Sequence, residues 1–172
     1  MVFDGPVRLD ERQFTLREAA FLADIPLPNV RNWIDRDIVK AGTNLAGRAS
    51  LTLLDIAHLM VLHDLTINVP LGPTLAVQAA DRVAGYIEAH SPRDAAGGLL
   101  LDLKAINPSA AFAFTCENGE LRGDLVHPTR HEGHTFFAGP WGRAHILVPI
   151  AAILARVVGR LLEITSTTEP GA

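Results

Sequence analysis

The polar side chains of residues 29–36 are of the types that hydrogen-bond to the edges of nucleic-acid bases. The segment holds two asparagines and two arginines: Asn29, Arg31, Asn32 and Arg36. In the major groove, arginine pairs with guanine and asparagine with adenine. Val30, Trp33 and Ile34 recur on the other side at helical spacing. The pattern therefore predicts a helix with an apolar inner face and a base-contacting outer face.

The residues that follow this helix favour a β-hairpin. Two short extended runs, 38–41 and 49–51, flank a loop rich in glycine and asparagine. Cations and polar side chains at such a loop suit contacts with phosphates or the minor groove. The candidates for these contacts are Arg17, Lys40, Thr43, Asn44 and Arg48.

Local signals define the helices that position these residues. Thr15 and Glu18 have the spacing of a capping box at the start of a first helix. Pro26 interrupts the helical pattern, and Pro28 suits the first position of the second helix. Thr52 and Asp55 predict a third helix after the hairpin, running from Leu53 to about Leu65.

This N-terminal third resembles the MerR-like winged helix-turn-helix domain, which also occurs in excisionases and small phage or plasmid regulators. The matching segments are Thr-Leu-Arg-Glu-Ala-Ala at 15–20, Val-Arg-Asn-Trp at 30–33, Asp-Ile-Val at 37–39, Gly-Arg at 47–48 and Thr-Leu-Leu-Asp-Ile at 52–56. Leu27 departs from the family pattern, in which a serine or threonine cap usually precedes Pro28. The resemblance implies double-stranded DNA as the partner. A structural subdomain or a protein-interaction module is the alternative interpretation.

The charge distribution indicates that one copy would bind DNA weakly. The chain of 172 residues has a net charge of −4. Between residues 28 and 50, four cations stand against two anions, which gives that stretch a net charge of +2. Because phosphate contacts supply much of the affinity for DNA, we expect a homodimer that doubles the contacts.

Composition predicts a globular protein that is not inserted in a membrane. Hydrophobic residues make up 48% of the chain, which is ample for a core. The first residues lack the basic and apolar pattern of a signal peptide. The strongest apolar run, 144–155, is interrupted and too short to span a bilayer. We expect a cytoplasmic location, with frayed ends at about 1–11 and 165–172.

The second half of the chain predicts a linking helix and then a small β region. Pro73 opens a helical pattern that reaches about His90, and residues 91–98 form the best domain boundary. Residues 99–106 resemble a strand. The runs 111–117 and 120–126 flank Asn-Gly, a strong hairpin signal, and residues 133–137 predict one more strand. On the hairpin's first run, Phe112, Phe114 and Cys116 alternate onto one face.

A C-terminal amphipathic helix is predicted from about Pro149 to Ile164. Its apolar stripe suits either closure of the small β domain or pairing with a second copy. The residues assigned to a dimer surface are Ile150, Ile153, Leu154, Val157 and Leu161.

No enzyme chemistry is evident in the sequence. There is neither a glycine-rich phosphate loop nor a nucleophile elbow. Four histidines, His127, His131, His134 and His145, lie close together with Glu132. Pro128 and Gly133 favour a loop there, so solvated histidines are preferred over a metal site. We expect no cofactor and no bound metal.

Together these patterns predict an α+β protein. It would have a winged helix-turn-helix at 12–72, a linking helix at 73–90 and a small α+β dimerisation, partner or effector domain at 99–164. The predicted function is sequence-specific transcriptional regulation as a homodimer. The alternatives are an antitoxin or adaptor whose C-terminal half binds a partner protein, and a regulator that senses a small molecule or a metal.

Overall fold

The computed structural model describes residues 7–11, 13–43, 46–69, 71–102, 110–117, 120–126 and 146–166. Within these residues the chain is mixed α/β, with five helices and two antiparallel three-stranded sheets. The elements in chain order are β1 (Phe14–Thr15), α1 (Leu16–Ala23), α2 (Leu27–Asp35), β2 (Gly42–Thr43), β3 (Ala49–Leu51), α3 (Leu53–Ile67), α4 (Pro73–His90), β4 (Ala111–Glu117), β5 (Glu120–Val126), β6 (Ile146–Pro149) and α5 (Ile150–Ser166).

Two capping boxes start α1 and α3, as predicted. The Thr15 N–H donates to Glu18 Oε2 at 2.8 Å, and the Glu18 N–H donates to Thr15 Oγ1 at 3.3 Å. At α3 the Thr52 N–H donates to Asp55 Oδ2 at 2.9 Å, and the Asp55 N–H donates back at 3.0 Å. Each box satisfies two amides that have no partner inside the helix.

The first sheet has the order β1-β3-β2. Thr15 pairs with Ser50, and Gly42 pairs with the same Ser50 from the other side. The second strand of the predicted hairpin is found at 49–51, but the first strand is Gly42–Thr43, inside the predicted loop, and not residues 38–41. Strand β1 adds a third strand that was not expected. This sheet ties the start of α1 to the base of the hairpin.

Helix α3 is the centre of the core. Its apolar residues surround the axis instead of forming one stripe, and eight of them are buried. A helix that is apolar on all sides needs partners on several sides. Helix α3 packs against α1, α4 and α5, and it ends at Ile67, two residues later than predicted.

The second sheet has the order β5-β4-β6. The β4–β5 hairpin follows the predicted pairing, from Ala111 opposite Val126 to Glu117 opposite Glu120. Strand β4 is central, so Ala113 and Phe114 on its two faces are both buried. Strand β6 was not predicted as a strand. The prediction for 99–106 is wrong at its start, because Leu99 and Leu100 make single bridges.

The C-terminal helix α5 packs inside the same chain. The five residues assigned to a dimer surface are each at most 4% exposed. Helix α5 contacts α1, α3 and β4, because burial against these elements removes its apolar stripe from water. This corrects the assignment of that face to dimerisation; homodimerisation itself stays a prediction, as does the division into domains.

Residues 7–11 are also not frayed. Leu9 is 1% exposed, and its N–H donates to the Leu99 carbonyl at 2.8 Å. The Leu54 N–H donates to the Leu9 carbonyl at 3.1 Å. This segment therefore links the residues after α4 to the start of α3.

None of the described helices is both long enough and apolar enough to cross a membrane.

Candidate nucleic-acid interface

Helix α2 is anchored on one side and open to solvent on the other. Val30 is fully buried, while Trp33 and Ile34 are half-buried against the core. The Trp33 ring meets the His63 ring of α3 edge-on, with centroids 6.1 Å apart. On the opposite side Arg31 and Asn32 are exposed. The apolar side therefore fixes the helix and leaves these two polar side chains accessible.

A three-residue turn, 24–26, joins α1 to α2. Asp24 has φ +60°, the left-handed conformation that aspartate tolerates better than most residues. The Ile25 N–H donates to the Ala20 carbonyl at 2.9 Å, and the Ile25 side chain is 4% exposed. Pro26 precedes α2 without a side-chain cap. The helix begins at Leu27, so the absence of a side-chain cap does not prevent it from forming.

The chain after α2 folds back onto the end of that helix. The N–H groups of Ile38 and Val39 both donate to the Trp33 carbonyl, at 2.9 and 3.3 Å. Val39 is buried, and Lys40 next to it is exposed. This contact places the hairpin directly beside the C-terminal end of α2.

The predicted backbone-contacting residues lie on two elements that the first sheet holds together. Thr15 pairs with Ser50 in antiparallel register. Arg17 follows Thr15 by two residues, and Arg48 precedes Ser50 by two residues. Because β1 and β3 are antiparallel, the end of β1 lies beside the start of β3, so both arginines are at the same end of the sheet. Both are exposed.

The remaining predicted site residues are placed less uniformly. Thr43 and Arg36 are exposed, whereas Asn29 is half-buried. Asn44 lies outside the described residues. Arg17, Arg31 and Arg36 form no ion pair with another residue in the described part of the chain, so their charges are not neutralised there.

Acidic residues are present at this surface as well. Asp35 is exposed on the same face of α2 as Arg31. Asp37 is exposed with φ +56°. The surface is therefore a weak electrostatic footprint by the standard of nucleic-acid-binding domains.

A cavity of about 240 Å³ lies elsewhere, between the second half of α3, β6 and the first turns of α5. Its walls are mostly apolar, and its polar residues are Asp64, Asn68 and Arg156. Arg156 Nη1 lies 3.3 Å from Asp64 Oδ2, and Asn68 Nδ2 lies 3.5 Å from Asp64 Oδ1. The Asp64 carboxylate is thus held by two donors at the rim.

Two histidines on α3 are shielded by packing. Burial lowers the pKa of His58, and the Asp81 carboxylate, 3.0 Å from its Nε2, opposes this effect. His63 Nδ1 is buried without a hydrogen-bond partner among the described residues. The four clustered histidines and Glu132 lie outside the described residues, as does the Cys116 side chain. The rest of the described chain contains no group of three metal-binding side chains.

No protein-family model matches the chain, and no curated protein matches it at a significant level. A functional assignment must therefore come from the residues and their geometry.

Sequence reasoning missed the contact that α5 makes with the turn between α1 and α2. Arg160 Nη1 donates to the Phe21 carbonyl at 2.7 Å, and Arg160 Nη2 lies 2.9 Å from Asp24 Oδ2. In the sequence, Arg160 stands out only as an arginine beside the centre of an apolar stripe. This position does not indicate which residue it contacts.

Proposed function

We propose that the protein is a sequence-specific DNA-binding regulator that contacts duplex DNA with α2 and the β2–β3 hairpin. The observation that carries the proposal is the arrangement of α2. It follows α1 after a three-residue turn, is anchored by Val30, and presents Arg31 and Asn32 to solvent. Two helices joined in this way, followed by a hairpin, are the parts of a winged helix-turn-helix.

In this proposal α2 enters the major groove. Arg31, Asn32 and Arg36 contact base edges, and Asn29 assists from its half-buried position. The hairpin and the start of α1 flank the groove, where Arg17, Lys40, Thr43 and Arg48 contact phosphates or the minor groove. Seven of these eight residues are exposed, all but Asn29, which supports this division of roles.

A single copy offers few phosphate contacts, so we propose that two copies bind adjacent half-sites. The buried stripe of α5 is not available for pairing, because the chain's own core occupies it. Pairing would use another surface or would occur only on DNA. Sedimentation of the protein with and without its DNA site distinguishes these two cases.

The proposal is tested by selecting bound sequences from a pool of random duplexes and measuring the affinity for the selected site. Arg31→Ala should weaken binding to that site by about tenfold to a hundredfold, since one bidentate base contact contributes about 1–3 kcal/mol. Arg122→Ala is the matched control, because Arg122 is an exposed arginine on the second sheet. Equal effects of the two substitutions, or a pool that yields no preferred sequence, would contradict the proposal.

The cavity favours a second candidate function, in which a small molecule regulates the protein. An apolar cavity of about 150 Å³ can hold benzene, so this cavity of about 240 Å³ has room for a slightly larger ligand. Arg156 has five donors and uses one on Asp64. We propose a small apolar carboxylate as the ligand class, with its anion at Arg156.

Thermal shift with 3-phenylpropionate, its amide and its amine tests this second candidate. Stabilisation by the carboxylate alone is expected, because a ligand that binds only the folded state raises the melting temperature. The substitution Ala152→Phe narrows the cavity from a lining position and should abolish the shift. A shift that survives in this variant, or one that the amine produces, would rule the assignment out.

A further inference from the structure

Arg160 of α5 makes three contacts with the last turn of α1 and the turn that leads into α2. Its Nη1 donates to the Phe21 carbonyl at 2.7 Å, and its Nη2 lies 2.9 Å from Asp24 Oδ2. Its guanidinium carbon lies 5.5 Å from the centroid of the Phe21 ring. One side chain therefore holds a backbone carbonyl, a carboxylate and an aromatic ring together.

These contacts require the shape of arginine. The planar guanidinium presents several donors in a fixed fork and stacks on aromatic faces, whereas lysine offers a point charge. Phe21 is 46% exposed although it is a large apolar side chain. The Arg160 guanidinium covers part of the Phe21 ring.

Helix α5 is packed in the core on both sides of Arg160. Val157 and Leu161, on either side of it in the sequence, are buried in the core. One turn earlier Arg156 is paired with Asp64 of α3 at 3.3 Å. Because the helix is fixed to α3 and to the core, the position of Arg160 fixes the position of Asp24.

Asp24 lies at the junction between α1 and α2. It is the left-handed residue of the turn, with φ +60°, and α2 begins three residues later. The Asp24 backbone N–H donates to the Ala20 and Phe21 carbonyls. Its side-chain carboxylate adds the contact with Arg160.

We propose that Arg160 is a positioning residue that fixes the orientation of α2 from the C-terminal helix. The inference rests on the proposed function insofar as α2 is the base-contacting helix. The C-terminal half would then support DNA recognition through this contact and not through a dimer stripe on α5.

The first test uses the full-length protein and the selected DNA site. Arg160→Ala should weaken binding to that site by about threefold to thirtyfold, the range for residues that act from outside the contact surface. The ratio of specific to non-specific affinity should fall, while the salt dependence stays that of the wild type. The affinity of Arg160→Lys should lie between those of the wild type and Arg160→Ala, because lysine keeps the charge but lacks the planar guanidinium. Wild-type affinity in Arg160→Ala would overturn the inference, and so would a salt slope lowered by about 0.9, which would indicate a direct phosphate contact.

Hydrogen exchange of the free protein tests the same inference without DNA. Arg160→Ala should raise exchange in the amides of residues 24–35, while the amides of α4 serve as the internal reference. The control is Arg122→Ala, which removes an exposed arginine of the second sheet and should leave exchange in α2 unchanged. If the wild type fails to bind DNA, the proposed function fails, and exchange still decides whether Arg160 holds α2. Unchanged exchange in Arg160→Ala would overturn the inference whatever the DNA result.

Discussion

Asp35 shares the exposed face of α2 with Arg31 and Asn32. The periodicity of the helix placed all three residues correctly from sequence, because residues 31, 32 and 35 fall on one side of any helix with Val30 inside. The partner of Arg160 could not be found in this way. Phe21 lies 139 positions earlier, and no local pattern records a contact over that distance.

An acidic residue on the proposed DNA-contacting face should weaken binding. Asp35→Asn is therefore expected to raise the affinity for the selected duplex by about twofold to fivefold, because two unit charges 4–8 Å apart in water interact by about 0.5–1 kcal/mol. Fluorescence anisotropy at fixed salt measures the change. Glu88→Gln, at an exposed position of α4, is the control and should leave the affinity unchanged. Unchanged affinity in Asp35→Asn would place Asp35 away from the phosphates, and a loss of affinity would be opposite to the expected change; either result would count against the proposed face.

At the scale of elements, the two capping boxes and the β4–β5 hairpin were predictable because each depends on residues a few positions apart. Thr15 with Glu18 and Thr52 with Asp55 start helices where the sequence places them. Strand β6 was missed because its four residues continue into the apolar pattern of α5. The bridges of residues 7–11 were missed because Leu9 finds its partner at Leu99.

Loss of the first capping box should destabilise the protein. Thr15→Ala removes the acceptor for the Glu18 N–H and is expected to lower the free energy of unfolding by about 1 kcal/mol. Chemical denaturation measures the difference. Thr74→Ala, an exposed threonine in the first turn of α4, serves as the control and should change stability by less. Equal effects of the two substitutions would mean that the box contributes little.

Gly123 of β5 lies against the ring of Phe114 on β4. A Cβ at this position would collide with the Phe114 side chain and lie 3.1 Å from the Ala113 carbonyl. Gly123→Ala should therefore lower the free energy of unfolding by about 1–3 kcal/mol.

Gly85→Ala on α4 is the matched control, for which the opposite change in stability is expected. Nothing lies within 4 Å of a Cβ at Gly85, so alanine should stabilise the helix by about 0.5–1 kcal/mol. Urea midpoints of the two variants provide the comparison. A more stable Gly123→Ala would show that the second sheet is not packed as described.

The whole molecule is held together by α3, whose neighbours come from both ends of the chain. Core side chains from α1, α4, β4 and α5 belong to one cluster. The sequence identified the apolar stripe of α5 but left two uses open, because a stripe of this kind is buried equally well by a second copy or by the chain itself. Only the contacts with α1 and α3 decide between these uses.

The α3–α4 contact should make stability depend on pH through His58. Burial lowers the pKa of His58 in the folded protein, with Asp81 and Asp55 acting in the opposite direction. In the unfolded chain this pKa returns to about 6.5, so the unfolded state binds the proton more readily. The stability that depends on neutral His58 is complete above the unfolded pKa. It is lost as the pH falls below that value toward the folded pKa.

The difference in melting temperature between pH 7.5 and 5.5 measures this effect. His58→Gln should show a smaller decrease than the wild type, since its side chain does not titrate. His90→Gln is the control, because His90 is exposed at the end of α4. An equal decrease in wild type and His58→Gln would contradict the assignment of this pH dependence to His58.

The salt dependence of DNA binding tests the central proposal most directly. The affinity of the wild type for the selected duplex is measured across a series of potassium chloride concentrations, together with that of Arg48→Ala. The proposal predicts that the logarithm of the association constant falls linearly with the logarithm of salt concentration, and that Arg48→Ala reduces the slope by about 0.9, the share of one phosphate contact. Binding that is independent of salt, or no binding to any duplex at low salt, would contradict it.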